Sequence, residues 1–215
     1  VSDNVTKTEV DDLRTDTTGN ITLTSLTEDK GDLGTINGFT DVILSTANIT
    51  VIDNVNKSEA DTIDAYSDTS GVVTLTSITD TYENIVLLQG NKNISIATSS
   101  ITVTDTVDND QVDLLNSFTT AIVNLTIIED VFDDVQAIDS LGEVKPPEVF
   151  MTSADVTITN TINKANIDKL RTDTSGNITV KNLEDTKENI EDVSKFTDVI
   201  LSTANITVTD NVNKT

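Results

Sequence analysis

The segment Phe39 to Lys57, FTDVILSTANITVIDNVNK, returns at Phe196 to Lys214 with a single change. Sliding the sequence by 157 positions lays residues 1–58 on residues 158–215 without a gap, and 31 of the 58 pairs are identical. A chain that repeats itself this closely is built from like modules, each burying its apolar face on its neighbours. A shorter beat runs inside the duplication. It is marked by the apolar–Thr–apolar triplets Ile21-Thr22-Leu23, Ile49-Thr50-Val51, Val73-Thr74-Leu75, Ile101-Thr102-Val103, Leu125-Thr126-Ile127, Val156-Thr157-Ile158, Ile178-Thr179-Val180 and Ile206-Thr207-Val208. Their spacings are 28, 24, 28, 24, 31, 22 and 28 residues, so long and short stretches alternate.

Each triplet reads as a strand with its first and third residues facing inward and its Thr outward. Successive triplets are too far apart for hairpins, so the strands are expected to be parallel, joined by crossovers. The expectation is a parallel β-solenoid of about eight coils, alternating between 22–24 and 28–31 residues, with short helices on one side. An α/β solenoid is its variant. Apolar residues three apart, such as Ala60 and Ile63 or Ile167 and Leu170, place a helical turn or two after the strands of the short coils. In the long coils Leu33, Ile36, Phe39 and Ile43 form a helical stripe, and Val42–Ser45, Ile94–Thr98, Val149–Thr152 and Val199–Ser202 read as second strands of another sheet, set at an angle to the first. Turns at Asp16-Thr17-Thr18-Gly19, Asp68-Thr69-Ser70-Gly71 and Asp173-Thr174-Ser175-Gly176 close the short coils, with Gly expected to supply a positive φ.

Residues 1–215 are expected to form one continuous solenoid, a window of a longer array, because the sequence starts and stops inside a coil. One coil departs from the rhythm. Its segment 142–150, GEVKPPEVF, holds the only two prolines, which cannot donate to a sheet ladder, so a protruding loop is expected there. Lys145, Pro146 and Pro147 at its tip are candidates for an assembly contact; a tolerated insertion is the plainer reading.

The net charge of −24, with only 13 basic residues, disfavours nucleic acid and anionic membrane as partners. No apolar run reaches the ~20 residues of a membrane helix. Neither His nor Cys occurs, which excludes His-activated nucleophiles, disulfides and thiolate metal sites. Carboxylate-pair catalysis on a polysaccharide-cleaving β-helix remains formally open, and surface charge is the plainer role for these acids; the chain is read as a non-enzyme. Acidic residues recur in register after the strands (Asp53, Asp105, Asp210) and in the closing turns (Asp16, Asp68, Asp173). Such oxygen-rich rows suit Ca²⁺, and equally they suit turns that bond to their own backbone. The outward row Thr22, Thr50, Thr74, Thr102, Thr126, Thr157, Thr179 and Thr207 is a candidate ligand-facing surface for a glycan, a mineral or ice. Thr is also a good strand residue in its own right.

The pattern ITVTD followed by a spaced apolar beat and DTSG resembles the tandem arrays of giant secreted bacterial surface proteins, including large adhesins. That resemblance implies an extracellular, cell-surface role as a stalk, sheath or filament. Self-association end to end or laterally, an adhesive function and calcium stabilisation belong to the same expectation. The glycine-rich nonapeptide of haemolysin-type calcium repeats is absent.

Overall fold

The computed structural model describes residues 4–67, 71–144 and 148–210, residues 142–144 by backbone alone. It divides into two compact units, Val1–Ile101 with Phe118–Ala121, and Thr102–Ser117 with Ile122–Thr215. The expected assembly-loop residues Lys145, Pro146 and Pro147 and the turn residue Asp68 lie outside the described residues. Gly142 to Val144 close a helix, and Val149–Phe150 is a short strand.

In the first unit the chain runs β1 (Asn4–Val5), α1 (Lys7–Asp16), β2 (Ile21–Thr22), β3 (Ser25–Glu28), α2 (Lys30–Asn37), β4 (Val42–Ile43), β5 (Asn48–Val55), α3 (Lys57–Asp64), β6 (Val73–Asp80), α4 (Tyr82–Gln89) and β7 (Ile94–Ser95). Its main sheet has the order β1-β3-β5-β6 with β7 beside β6, and β2 pairs with β4 in a sheet of two strands. The boundary between units falls within β8 (Ser100–Val107). The chain continues through α5 (Asn109–Phe118), β9 (Val123–Asp130), α6 (Phe132–Val144), β10 (Val149–Phe150), β11 (Asp155–Ile162), α7 (Lys164–Asp173), β12 (Ile178–Asp185), α8 (Lys187–Val193), β13 (Val199–Ile200) and β14 (Asn205–Val208). There the order is β8-β9-β11-β12, with β10 beside β9 and both β13 and β14 beside β12.

The pairings are parallel, for example Ile49 opposite Val73 and Val156 opposite Ile178, and a helix follows nearly every long strand. The architecture is therefore a mostly parallel α/β fold. Helices are not confined to the short coils. Leu33 and Ile36 on α2, Ile85 and Leu88 on α4, and Val135 and Ile138 on α6 are as fully buried as the strand residues Ile49, Val51 and Leu75. Apolar residues three apart on a helix form a stripe that has to be covered, and the sheet face covers it.

Three expectations need correction. The helical stripe of the long coils stops at Ile36, since α2 ends at Asn37 and Phe39 lies beyond it. The second strands do not form a separate angled sheet along the chain. Each lies beside the triplet strand of its own coil: Val42 opposite Ile21, Ile94 opposite Val73, Val149 opposite Val123 and Val199 opposite Ile178. The turn glycines do not have positive φ, and Gly71 and Gly176 are required by proximity. A Cβ on Gly71 would sit 2.0 Å from the Ala47 carbonyl oxygen, and one on Gly176 would sit 2.2 Å from that of Ala154.

Candidate functional site

The most regular chemistry in the fold lies where strands end and helices begin. The first N–H groups of a helix have no partner within it and carry the positive end of its dipole. Here a side chain from further along the chain supplies the acceptor. Lys30 N donates to Asp53 Oδ1 at 3.0 Å, Lys57 N to Asp80 Oδ2 at 2.7 Å, Asn109 N to Asp130 Oδ2 at 2.8 Å, and Phe132 N to Asn160 Oδ1 at 3.0 Å. Lys164 N donates to Asp185 Oδ2 at 2.8 Å, Lys187 N to Asp210 Oδ1 at 2.9 Å, and Lys7 N to Glu28. Seven helices thus begin on an oxygen carried 21 to 28 residues further along the chain, six of them on a strand and Asp210 just past β14. Local caps add to this: Asn56 and Glu59, and Asn163 and Asn166, exchange bonds as capping boxes around the starts of α3 and α7.

Asp80 and Asp185 serve two helices at once. The second oxygen of Asp80 accepts from Thr81 N and from Asn84 Nδ2, both at 2.8 Å, at the start of α4. Asp185 does the same for Thr186 N and Asn189 Nδ2, both at 2.7 Å, at the start of α8. Partial burial alone would push these carboxyls up. The donated hydrogen bonds outweigh it, from Asn84 and the Lys57 and Thr81 amides in one case and from Asn189 and the Lys164 and Thr186 amides in the other, and both end below the ordinary carboxylate range. Asp134 on α6 goes the other way, raised by burial first and then by the charges of Asp130, Asp110 and Asp133.

These contacts account for two of the residues in the acidic rows. Of the six aspartates expected as metal ligands, Asp53 and Asp210 are helix caps, and Asp105 occupies the same place on β8 as Asp53 on β5. Asp16 and Asp173 end α1 and α7, and Asp173 accepts from Gln136 Nε2 at 2.8 Å. Among the described residues, the carboxylates close enough to share an ion are those of Glu28, Asp29 and Asp32, with oxygens within 4.8 Å of one another. None of these was expected from the sequence. Two of them already accept N–H groups, Glu28 from Lys7 and Asp29 from Asp32 at 2.8 Å.

The Thr row is interrupted by register. Thr50 stands between Thr27 and Thr74, not beside Thr22, which pairs with Ile43 in the small sheet. In β9 the residue equivalent to Thr74 is Asn124, opposite Phe150 as Thr74 is opposite Ser95, so Thr126 lies two residues further on. Thr157 and Thr179 are paired with each other, flanked by Glu129 and Ile200. Thr102 and Thr207 lie on β8 and β14, Thr207 opposite Glu184.

A further corner is repeated by the duplication. Arg14 grips Asp41 through Nε at 3.0 and 2.9 Å and lies 3.7 Å above the Phe39 ring. Arg171 holds Asp198 at 2.7 Å and lies 3.9 Å above Phe196. The guanidinium bond lowers the carboxyl of Asp41 and of Asp198. One shallow polar recess, of about 330 Å³, lies beside the start of α7, lined by Thr161, Asn163, Asn166, Glu184, Asp185 and Thr209 among others. No helix is long and apolar enough to cross a membrane. No protein-family model, characterised protein or solved structure matches the chain.

Proposed function

We propose that this chain is a structural repeat segment of an extracellular stalk, sheath or filament on a cell surface, its modules stacking as coils of a parallel solenoid. The observation that supports this best is the cap ladder. The chain's most repeated polar contact is used to hold one coil to the next, recurring along the sequence as a scaffold's contacts do. A reaction centre would instead break the repeat with a constellation made once. The strong acidity keeps such an array apart from its neighbours and soluble. An adhesin that presents the Thr-bearing strands to a glycan or a surface is the alternative, and the half-exposed Thr27–Thr50–Thr74 row is what favours it.

Immunogold labelling of intact source cells with antibodies to this chain tests the reading. Label on extended surface structures is the expected result. Label confined to the cell interior overturns it.

A further inference from the structure

The starts of α4, α6 and α8 repeat one junction, and the copy at α6 differs from the others in what surrounds its acid. Asp80, Asp130 and Asp185 each accept the amide of an earlier helix on Oδ2, from Lys57, Asn109 and Lys164 respectively. Each accepts the amide of its own following residue on Oδ1, from Thr81, Val131 and Thr186. At α4 and α8 a side chain four residues on completes the set, with Asn84 Nδ2 at 2.8 Å from Asp80 Oδ1 and Asn189 Nδ2 at 2.7 Å from Asp185 Oδ1. At α6 that position is Asp134, which is half-buried. A carboxylate only accepts, so Asp134 makes the same bond only when it carries a proton.

The second difference removes a cation. Lys57 and Lys164 lie close enough to Asp80 and Asp185 to favour their charge, and the α5 residue in their place is Asn109. The charged groups facing Asp134 are Asp130 on β9, Asp110 on α5 and its own neighbour Asp133. All three are acids. α6 also packs on β10, which has no titratable residue, and on β11, whose Asn160 meets this helix start as a neutral amide. No Lys or Arg occurs between Lys92 and Lys145. α2 provides the contrast: Asp32 stands four residues after Glu28, but Lys7 is retained there, bonded to Asp11 and within the field of Asp32 and Glu28. Two carboxyls brought together without a cation hold one proton between them, because charging both is costly.

We propose that Asp130 and Asp134 share one proton, the Asp134 hydroxyl donating to Asp130 Oδ1 in the place that Asn84 and Asn189 fill at the other junctions. The proton comes from solvent, and no other bond is made or broken. An O–H···O⁻ bond of this kind is short and strong. The Asp134 carboxyl is displaced upward, by partial burial first and then by the charges of Asp130, Asp110 and Asp133, which is the direction that sharing requires. The folded chain therefore holds this proton more tightly than the unfolded chain does. The junction gains strength as pH falls through the raised value toward about 4, and gains no more below that. Asp80 and Asp185 are lowered and respond in the opposite sense. The start of α6 thus closes in mild acid, a local change that the unfolding midpoint of the whole chain does not isolate.

Carboxyl ¹³C NMR titration and amide hydrogen exchange from about pH 7 to about pH 4, in EDTA, test this on the wild type, Asp134→Asn and Asp134→Ala. Circular dichroism verifies that each variant folds. Asp134 should titrate above its ordinary range, and the Asp130 signal should move in the same step. The Asn109 and Val131 amides both donate to Asp130. After correction for intrinsic rates, their protection in the wild type should rise on acidification, by up to about tenfold for each pH unit that Asp134 titrates above about 4. Asp134→Asn should protect them without that rise, because its amide donates at every pH. Asp134→Ala relieves the repulsion but has no donor, so it should fall short of Asp134→Asn throughout. An Asp134 carboxyl that titrates in the ordinary range, or protection that stays flat in the wild type, overturns the shared proton. An Ala variant as well protected as the Asn variant overturns it too, reducing the junction to charge repulsion alone.

Discussion

Asp185 gives the sharpest test of the cap ladder, because one carboxylate closes the starts of two helices. Replacing it with Ala removes the acceptor for Lys164 N at the start of α7 and for Thr186 N and Asn189 Nδ2 at the start of α8. Loss of a capping side chain costs about 0.5–2 kcal/mol per helix, and loss of a negative charge at each dipole adds about 0.3–1 kcal/mol. The sum is roughly 2–4 kcal/mol, because the capping box at Asn163 and the Thr186 hydroxyl still hold part of each start. For a domain of this size that corresponds to a fall in melting temperature on the order of 10 °C. Asp185→Asn should cost about half as much, since an amide keeps one acceptor oxygen and Asn160 caps Phe132 N with a single bond at 3.0 Å. Hydrogen exchange locates the damage: protection should fall in α7 and α8 and hold in α3 and α4, where Asp80 does the same work. Unchanged protection in α7, or a loss no larger than that of the exposed neighbour variant Glu184→Ala, would refute the double-cap account.

Acid should dismantle the fold in a defined direction. Asp80, Asp185, Glu59 and Asp198 all have folded pKa values below their ordinary ones. Their stabilisation is complete above the usual carboxylate range of about 4 and is lost as pH falls through the depressed folded values. Urea midpoints should therefore be flat from neutral pH to about 5 and drop below about 4; a midpoint that rises on acidification contradicts the caps. Asp134 is raised, so it opposes folding at neutral pH, and Asp134→Asn should increase the midpoint at pH 7 with little effect in acid. Arg171→Lys should weaken the corner despite keeping the charge, because an ammonium cannot combine the planar stack on Phe196 with the Nε bond to Asp198; carbon-detected NMR titration should then find the Asp198 carboxyl nearer its ordinary value, and no movement sinks the assignment. Thermal unfolding in excess EDTA and in millimolar CaCl₂ should coincide if the Asp rows serve helices; a large rise with calcium would make them cation bridges as well.

Much of the fold could be read because burial follows simple periods. The triplet strands, the starts of α3, α5 and α7, and the 157-residue duplication are all visible in apolar spacing. Register was not. Leu125-Thr126-Ile127 copies the triplet pattern two residues beyond the true equivalent of Val73, and a shift of two leaves every strand residue on the same face, so alternation cannot detect it. Pairing Val123 with Val149 decides it. Of the acidic rows read as oxygen ligands, Asp53 and Asp210 accept from backbone N–H groups 23 residues earlier, which no local motif announces. Phe39 and Phe196 looked like helix-stripe residues because they fall three beyond Ile36 and Val193; their contacts are instead with Arg14 and Arg171.

The direction of the caps has a structural consequence. Seven helix starts draw on a carboxylate or amide carried further along the chain, as α7 draws on Asp185 and α8 on Asp210, and Asp80 and Asp185 also cap the helices that follow them, α4 and α8. A strand-end acid of this kind therefore completes the start of a helix that precedes it in sequence. Where like modules stack, stability is the sum of module and neighbour terms, and between α3 and β6 the neighbour term contains the charge-assisted bond from Lys57 N to Asp80 as well as apolar contact. A substitution at a strand-end acid should accordingly destabilise the preceding helix more than its own strand. Loss at Asp53 should loosen α2 while β5 stays fixed by Ile49 and Val51, both wholly buried. Replacing Ile49 with Asp should do the opposite, placing an unpaired charge between β3 and β6 and disrupting both neighbours together.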